Sequence, residues 1–264
     1  MNFVLIRGGG DLASGIAIRL HRSGFKVIIT ELPNPLAVRR AVSFSESVYA
    51  GEIKVEGILG RRVESAAEAF ELAQKGIIPV LIDPETDILK NGNCPALIDA
   101  RLLKRTADTD IHSAPLVIGL GPGFTVGENC HTVIETNRGH TLGRVYWTGS
   151  ACADTGQPEG DPRRVLRAPL DGVLTAAAEI GEHLEPGQLI AQVGPEKVIA
   201  PFKGVLRGLI RPGLSITRGV KIGDIDQRDD PQYCFMVSDK ALAVAGGVLE
   251  AILSQPEIRL QLLG

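Results

Sequence analysis

The sequence predicts an α/β protein in two domains, a Rossmann-like parallel sheet followed by a small all-β module with a terminal helix. Three observations predict it. A short apolar strand runs into a glycine turn and a helix at the start of the chain. Strand and helix patterns then alternate through the first half. From Val165 onward the pattern changes to short strands and glycine turns that repeat at a fixed offset. The 264 residues suit two domains of ordinary size, and 44% hydrophobic with 22% charged residues is normal for a globular protein.

Residues 3–7 (Phe-Val-Leu-Ile-Arg) read as a buried strand, the Leu12, Ile16, Leu20 pattern as a following helix that ends near Gly24, and 25–30 as a second strand closed by Glu31. Between strand and helix lies Gly8-Gly9-Gly10-Asp11-Leu12-Ala13, which contains the small-residue dinucleotide pattern Gly8-x-Gly10-x-x-Ala13. In that pattern Gly8 makes the turn, Gly9 and Gly10 leave room for a phosphate, and Ala13 lets the helix sit close to the strands. The helix start offers N–H groups to an anion, and Glu31 stands where an acid can bind ribose hydroxyls. Asp11 is either part of this floor or a first-turn acid favoured by the helix dipole. The alternative is a strand–helix–strand unit that uses small residues for packing alone.

Farther on, 64–75 reads as an amphipathic helix, 77–82 and 96–99 as strands, and 100–105 as helix-like. Arg39, in Val38-Arg39-Arg40, is a candidate anion contact. Residues 116–124 form a strand entering a loop with Gly119, Gly121 and Gly123. That loop is either an anion-binding nest or a tight turn needing positive φ. If 131–135 is a strand, His131 and Glu135 share a face, and Arg138 and His140 crowd its end. His131, Glu135 and His140 are the candidate catalytic proton-transfer groups, and Gly121, Gly123 and Arg138 further cofactor contacts. Their spacing matches no common metal-ligand set, so no metal is expected. Cys152 has acids around it, which oppose thiolate formation.

Residues 151–164 carry glycines, prolines and acids and read as the linker between domains 1–150 and 165–264. The second domain repeats itself. Ala168-Pro169-x-x-Gly172-Val173-Leu174 returns as Ala200-Pro201-x-x-Gly204-Val205-Leu206, and Gly181 and Gly187 return as Gly213 and Gly219, every pair offset by 32. This pattern resembles a biotinyl/lipoyl barrel-sandwich. The resemblance implies a carrier lysine in the hairpin joining the copies. Lys197 lies there without flanking methionine and close to Ala200, so neither covalent biotin nor lipoate is expected. The helix 239–253, capped by Ser238, holds Gly246-Gly247, expected to mark close packing.

Net charge of −3 gives no electrostatic case for nucleic acid or an anionic membrane. No apolar run reaches the roughly 18 residues of a membrane span, and the first residues lack a signal-peptide pattern, so a cytoplasmic protein is expected. The four cysteines form no CxxC pair and are expected reduced.

Together, the segments 7–15, 38–40, 119–124, 134–140, 167–169, 221–228 and 238–241 resemble one family. These are the YqeB-type accessory proteins of selenium-dependent molybdenum hydroxylases, relatives of the xanthine dehydrogenase accessory factor. Gln227 replaces the proline of the family pattern. The resemblance implies a maturation role: handling a molybdopterin-type cofactor, or its sulfur or selenium insertion, for a molybdenum hydroxylase apo-enzyme. The alternatives are an NAD(P)-dependent oxidoreductase, with a dinucleotide in the glycine turn, and a non-catalytic scaffold. The sequence leaves open whether the chain is an enzyme and allows a homo-oligomer.

Overall fold

The computed structural model describes residues 1–154 and 160–264, so part of the expected linker, 155–159, lies outside the described residues. The chain divides into two units. One is built from 1–35, 44–155 and 237–264, the other from 36–43 and 156–236. The C-terminal segment, expected with the second domain, therefore belongs to the first unit, and 36–43, expected in the first, belongs to the second.

The first unit holds a nine-stranded sheet. Its strands are β1 (Asn2–Arg7), β2 (Val27–Glu31), β3 (Glu52–Val55), β4 (Ile58–Val63), β5 (Ile78–Ile82), β6 (Asn93–Asp99), β7 (Leu116–Leu120), β8 (Thr132–Ile134) and β9 (Val145–Tyr146). They lie in the order β3-β4-β5-β2-β1-β6-β7-β8-β9. Strands β4 to β8 run parallel to their neighbours across β5, β2, β1, β6 and β7. Each outer strand is antiparallel to the strand beside it. Phe3, Val4, Leu5 and Ile6 are all fully buried, as a central strand covered on both faces requires.

This mixed sheet overturns the Rossmann-like parallel domain read from the sequence. Only β1 to β2 and β4 to β5 cross over through helices, α1 (Asp11–Arg22) and α3 (Ala66–Gln74), with the short α2 (Ser47–Ala50) before β3. The step from β5 to β6 uses a 3-10 turn, Asp87–Asn91. The residues from β6 to β7 carry only the short turn Ile111–Ser113, and 100–105 is not helical. The regular alternation of strand and helix thus stops after β5. The sequence reading also missed the hairpin β3–β4. Its two-residue turn, Glu56-Gly57, has positive φ at both positions, the twist that suits a tight hairpin.

Helix α4 (Asp239–Leu253) packs on α1, and α5 (Pro256–Leu263) follows. Small residues make the approach close. A Cβ on Gly15 would overlap Ala241, and one on Gly247 would overlap the Gly143 carbonyl. Gly246 has open space instead, so only Gly247 of the pair marks close packing.

The second unit contains two separate four-stranded antiparallel sheets. One joins β10 (Val165–Arg167), β17 (Lys221–Asp226), β15 (Gly204–Leu209) and β12 (His183–Leu184). The other joins β14 (Glu196–Ile199), β13 (Leu189–Val193), β11 (Gly172–Ala176) and β16 (Ser215–Ile216). Two open sheets, with no α-helix among the described residues of this unit, correct the expected barrel-sandwich with its C-terminal helix. The sequence repeat is nonetheless expressed in the backbone. Gly181 N–H donates to Leu206 and Gly213 N–H to Leu174. Likewise Gly187 N–H donates to Ala200 and Gly219 N–H to Ala168. Each copy therefore bonds to the other at matching positions, around one apolar core that includes Leu174, Ile190, Leu206 and Ile222.

Candidate functional site

The chain runs from β1 outward to β2 on one side and returns to β6 on the other, so strand order reverses beside β1. Ligands of open α/β sheets sit at such a crevice, at the carboxyl ends of the strands. Here that edge carries Gly8 to Asp11 after β1, Ala100 and Arg101 after β6, the 121–123 turn after β7, and Glu135 after β8.

Gly8 has φ +94°, and a Cβ on it would lie 3.4 Å from the Arg101 side chain. Gly9 is covered on one side. Its carbonyl accepts from Ser45 N–H at 2.9 Å, and a Cβ there would press on the Ser45 backbone. Ser14 Oγ ties the same turn together, donating to the Gly9 carbonyl and accepting from Phe44 N–H. Gly10 is different. Nothing lies within 4 Å of where its Cβ would be, and no side chain caps the α1 amino terminus, which it opens. Ala13 is buried in the helix, and Asp11 occupies its first turn.

Glu31 does not reach outward for hydroxyls. Its carboxylate accepts from Gly9 N–H and Leu32 N–H, both at 2.7 Å. Burial pushes its pKa up, and the two amides pull it back. The acid thus fills part of the anion position that the glycine pattern was expected to offer a phosphate.

Arg101 is a residue the sequence reading passed over. It forks onto buried Asp99 through Nε (3.0 Å) and Nη2 (2.6 Å), and reaches Asp108 at 2.5 Å. Thr109 Oγ1 also donates to Asp99, and Arg7 stands 3.5 Å from Asp108. The guanidinium holds the Asp108 carboxyl below its usual pKa. Two cations balance two acids here, so affinity for an added anion would come from the α1 terminus rather than from excess charge. The Arg101 signal in sequence was its place just after a strand-ending acid.

The other expected contacts disperse. Gly121 N–H donates to the Ile134 carbonyl, and the Gly123 carbonyl accepts from Ala107 N–H, so the loop is a tight packed turn rather than an open nest. Arg39 is buried in the second unit, where Nη2 donates to the Tyr233 and Met236 carbonyls; it is a structural clamp. Arg138 forks onto Asp239 at 2.6 and 3.0 Å.

The three expected catalytic groups are not assembled. Glu135 is fully buried, accepting from Asn137 N–H at 2.6 Å and Cys152 N–H at 2.8 Å. His131 precedes β8 and Glu135 follows it, roughly 13 Å apart at about 3.3 Å per residue. His140 lies exposed in the following loop. The Cys152 thiol is pushed up in pKa by its hydrogen bond to Glu135, which opposes a thiolate. Among the described residues no three His, Cys, Asp or Glu side chains gather to hold a metal. Nor is any single described helix long and apolar enough to cross a membrane.

The fold and this edge define a two-unit α/β protein with an uncapped helix start at a strand-order reversal. By sequence the chain is similar to uncharacterized protein YqeB of Escherichia coli K12, at 45% identity over 254 residues, a match covering 95% of the chain and 47% of that protein. The chain thus spans about half the length of the curated relative. No family model matches it. Solved structures give only distant likeness. An aspartoacylase family protein from Mesorhizobium loti is 12% identical, with 85% of each chain covered and a TM-score of 0.27. A succinylglutamate desuccinylase/aspartoacylase from Rhodobacter sphaeroides is 14% identical, with 85% of this chain and 86% of the other covered and a TM-score of 0.25. Scores this low carry no argument about fold or chemistry.

Proposed function

We propose that the chain is an accessory protein in the maturation of a molybdenum hydroxylase, one that handles a molybdopterin-type cofactor for the apo-enzyme. Two things support this: the YqeB likeness over nearly the whole chain, and the motif resemblance read from the sequence. The structural observation behind the cofactor reading is the open, uncapped start of α1 at Gly10, in the turn whose Gly8 lies against Arg101. A helix start at the carboxyl edge of a sheet suits a phosphate, and the cofactor carries one. Gly8, Gly9 and Ala13 shape the turn, and Asp11 limits how much negative charge the site accepts.

The oxidoreductase alternative loses its main support, because the Glu31 carboxylate is held by the Gly9 and Leu32 amides rather than free for a ribose. The test is calorimetric titration of the purified chain with molybdopterin and with its nucleotide form. Binding that is lost in Gly10→Val is the expected result. Absence of binding by both forms would end this reading.

A further inference from the structure

A groove of about 470 Å3 opens at the amino ends of β6 to β8, at the opposite edge of the sheet from Gly10. Its wall includes Leu89, Cys94, Ile111, His112, Pro115 and His131, and none of the residues lining it is acidic. That volume lies in the range of small-molecule sites.

The hydrogen bonding of His131 defines what it can offer. Its Nδ1 accepts from Val117 N–H at 2.9 Å. A ring nitrogen that accepts carries no proton, so the ring is neutral and its hydrogen sits on Nε2. Burial, and then neighbouring His112, hold the ring below its ordinary pKa, in agreement with that geometry. Nε2 is therefore a donor with no free lone pair for a metal. Cys94 adds no nucleophile: its Sγ donates to the Ala96 carbonyl, and burial pushes its pKa up to about 12. His112 is exposed on the turn Ile111–Ser113, where its own N–H is held by Asp110. Leu89, Ile111 and Pro115 supply an apolar surface.

We propose that this groove binds a small organic carboxylate with an apolar body. A carboxylate oxygen accepts from His131 Nε2–H, His112 stands by the same group, and the apolar body covers Leu89, Ile111 and Pro115. The inference does not depend on the cofactor reading, which concerns the other edge.

Benzoate is the probe, with inorganic phosphate as the oxyanion that lacks an apolar body. His131→Asn is the informative variant: its Oδ1 can take over the Val117 N–H while the Nε2–H donor is removed. Saturable benzoate binding, weakened at least tenfold in His131→Asn and severalfold in His112→Gln, supports the proposal. The exposed His112 variant keeps the test decisive should His131→Asn fail to fold. No saturable benzoate binding, or unchanged binding in the variants, overturns it. Phosphate binding as tight as benzoate overturns the apolar half. Gly10→Val should leave benzoate binding unchanged, which separates failure here from failure of the cofactor reading.

Discussion

At the carboxyl edge of the nine-stranded sheet, Glu31, Asp99 and Glu135 turn onto the chain's own donors. At the amino edge, His131 gives one nitrogen to a backbone amide and keeps the other for the groove. At the first edge the acids are self-satisfied and hold turns in place, while the α1 start at Gly10 stays open and Arg7 Nε and Thr30 Oγ1 are buried without a partner. The second edge carries fewer internal obligations. Polar residues at strand ends are therefore no guide to function by themselves. What separates them is whether a donor or acceptor is left over after the backbone has been served.

Substitutions should expose that contrast as a gradient of stability. Asp99→Ala should cost most, about 3–5 kcal/mol, because it removes a buried charge and leaves the Arg101 guanidinium without its main partner. Urea unfolding measures this, and a cost under about 1 kcal/mol would erase the proposed difference between the edges. Glu135→Ala should come next, at about 2–3 kcal/mol, since the Asn137 and Cys152 amides lose their acceptor. The same unfolding series tests it.

At the amino edge His131→Ala should cost about 1 kcal/mol through the orphaned Val117 amide. His112→Gln should stay within about 0.5 kcal/mol, as at other exposed positions. A thermal-melt comparison of the two would sharpen the claim that this edge serves binding more than folding. Acid adds one more contrast. Burial lowers the pKa of both His21 and His131 in the folded chain. The unfolded chain then takes up those protons first as pH falls. Stability from these groups is complete above the unfolded value of about 6.5 and declines below it, until the folded values are reached. Melts from about pH 8 to about pH 5 should show that decline, and His131→Asn should flatten it.

Much of this was legible locally. The first strand, the glycine turn, α1 and β2 follow from adjacent residues, as does α4 behind its Ser238 cap. The 32-residue offset was visible in the sequence and returns in paired hydrogen bonds. The crossovers after β5 were not legible, because side chains rather than helical propensity organise them. Asp99, Arg101, Asp108 and Thr109 fix one such stretch through bonds that no periodicity displays. The glycine turn was legible only in part, for a related reason. Its spacing suits a pyrophosphate, but Ser45 and Glu31, distant in sequence, occupy much of the space around Gly9. The partners of Arg39 and Arg138 were not legible, because a basic residue looks the same in sequence whether it meets a ligand, a carbonyl or an acid.

The reciprocal bonding of the two repeat copies has a consequence for how such a unit arises and breaks. The amides of Gly181 and Gly187 in one copy, and of Gly213 and Gly219 in the other, all find their acceptors across the duplication. A chain carrying a single copy would lack every one of those acceptors unless a second identical chain supplied them. Tandem duplication within one gene and twofold pairing of two short chains are, for this architecture, two routes to the same set of bonds.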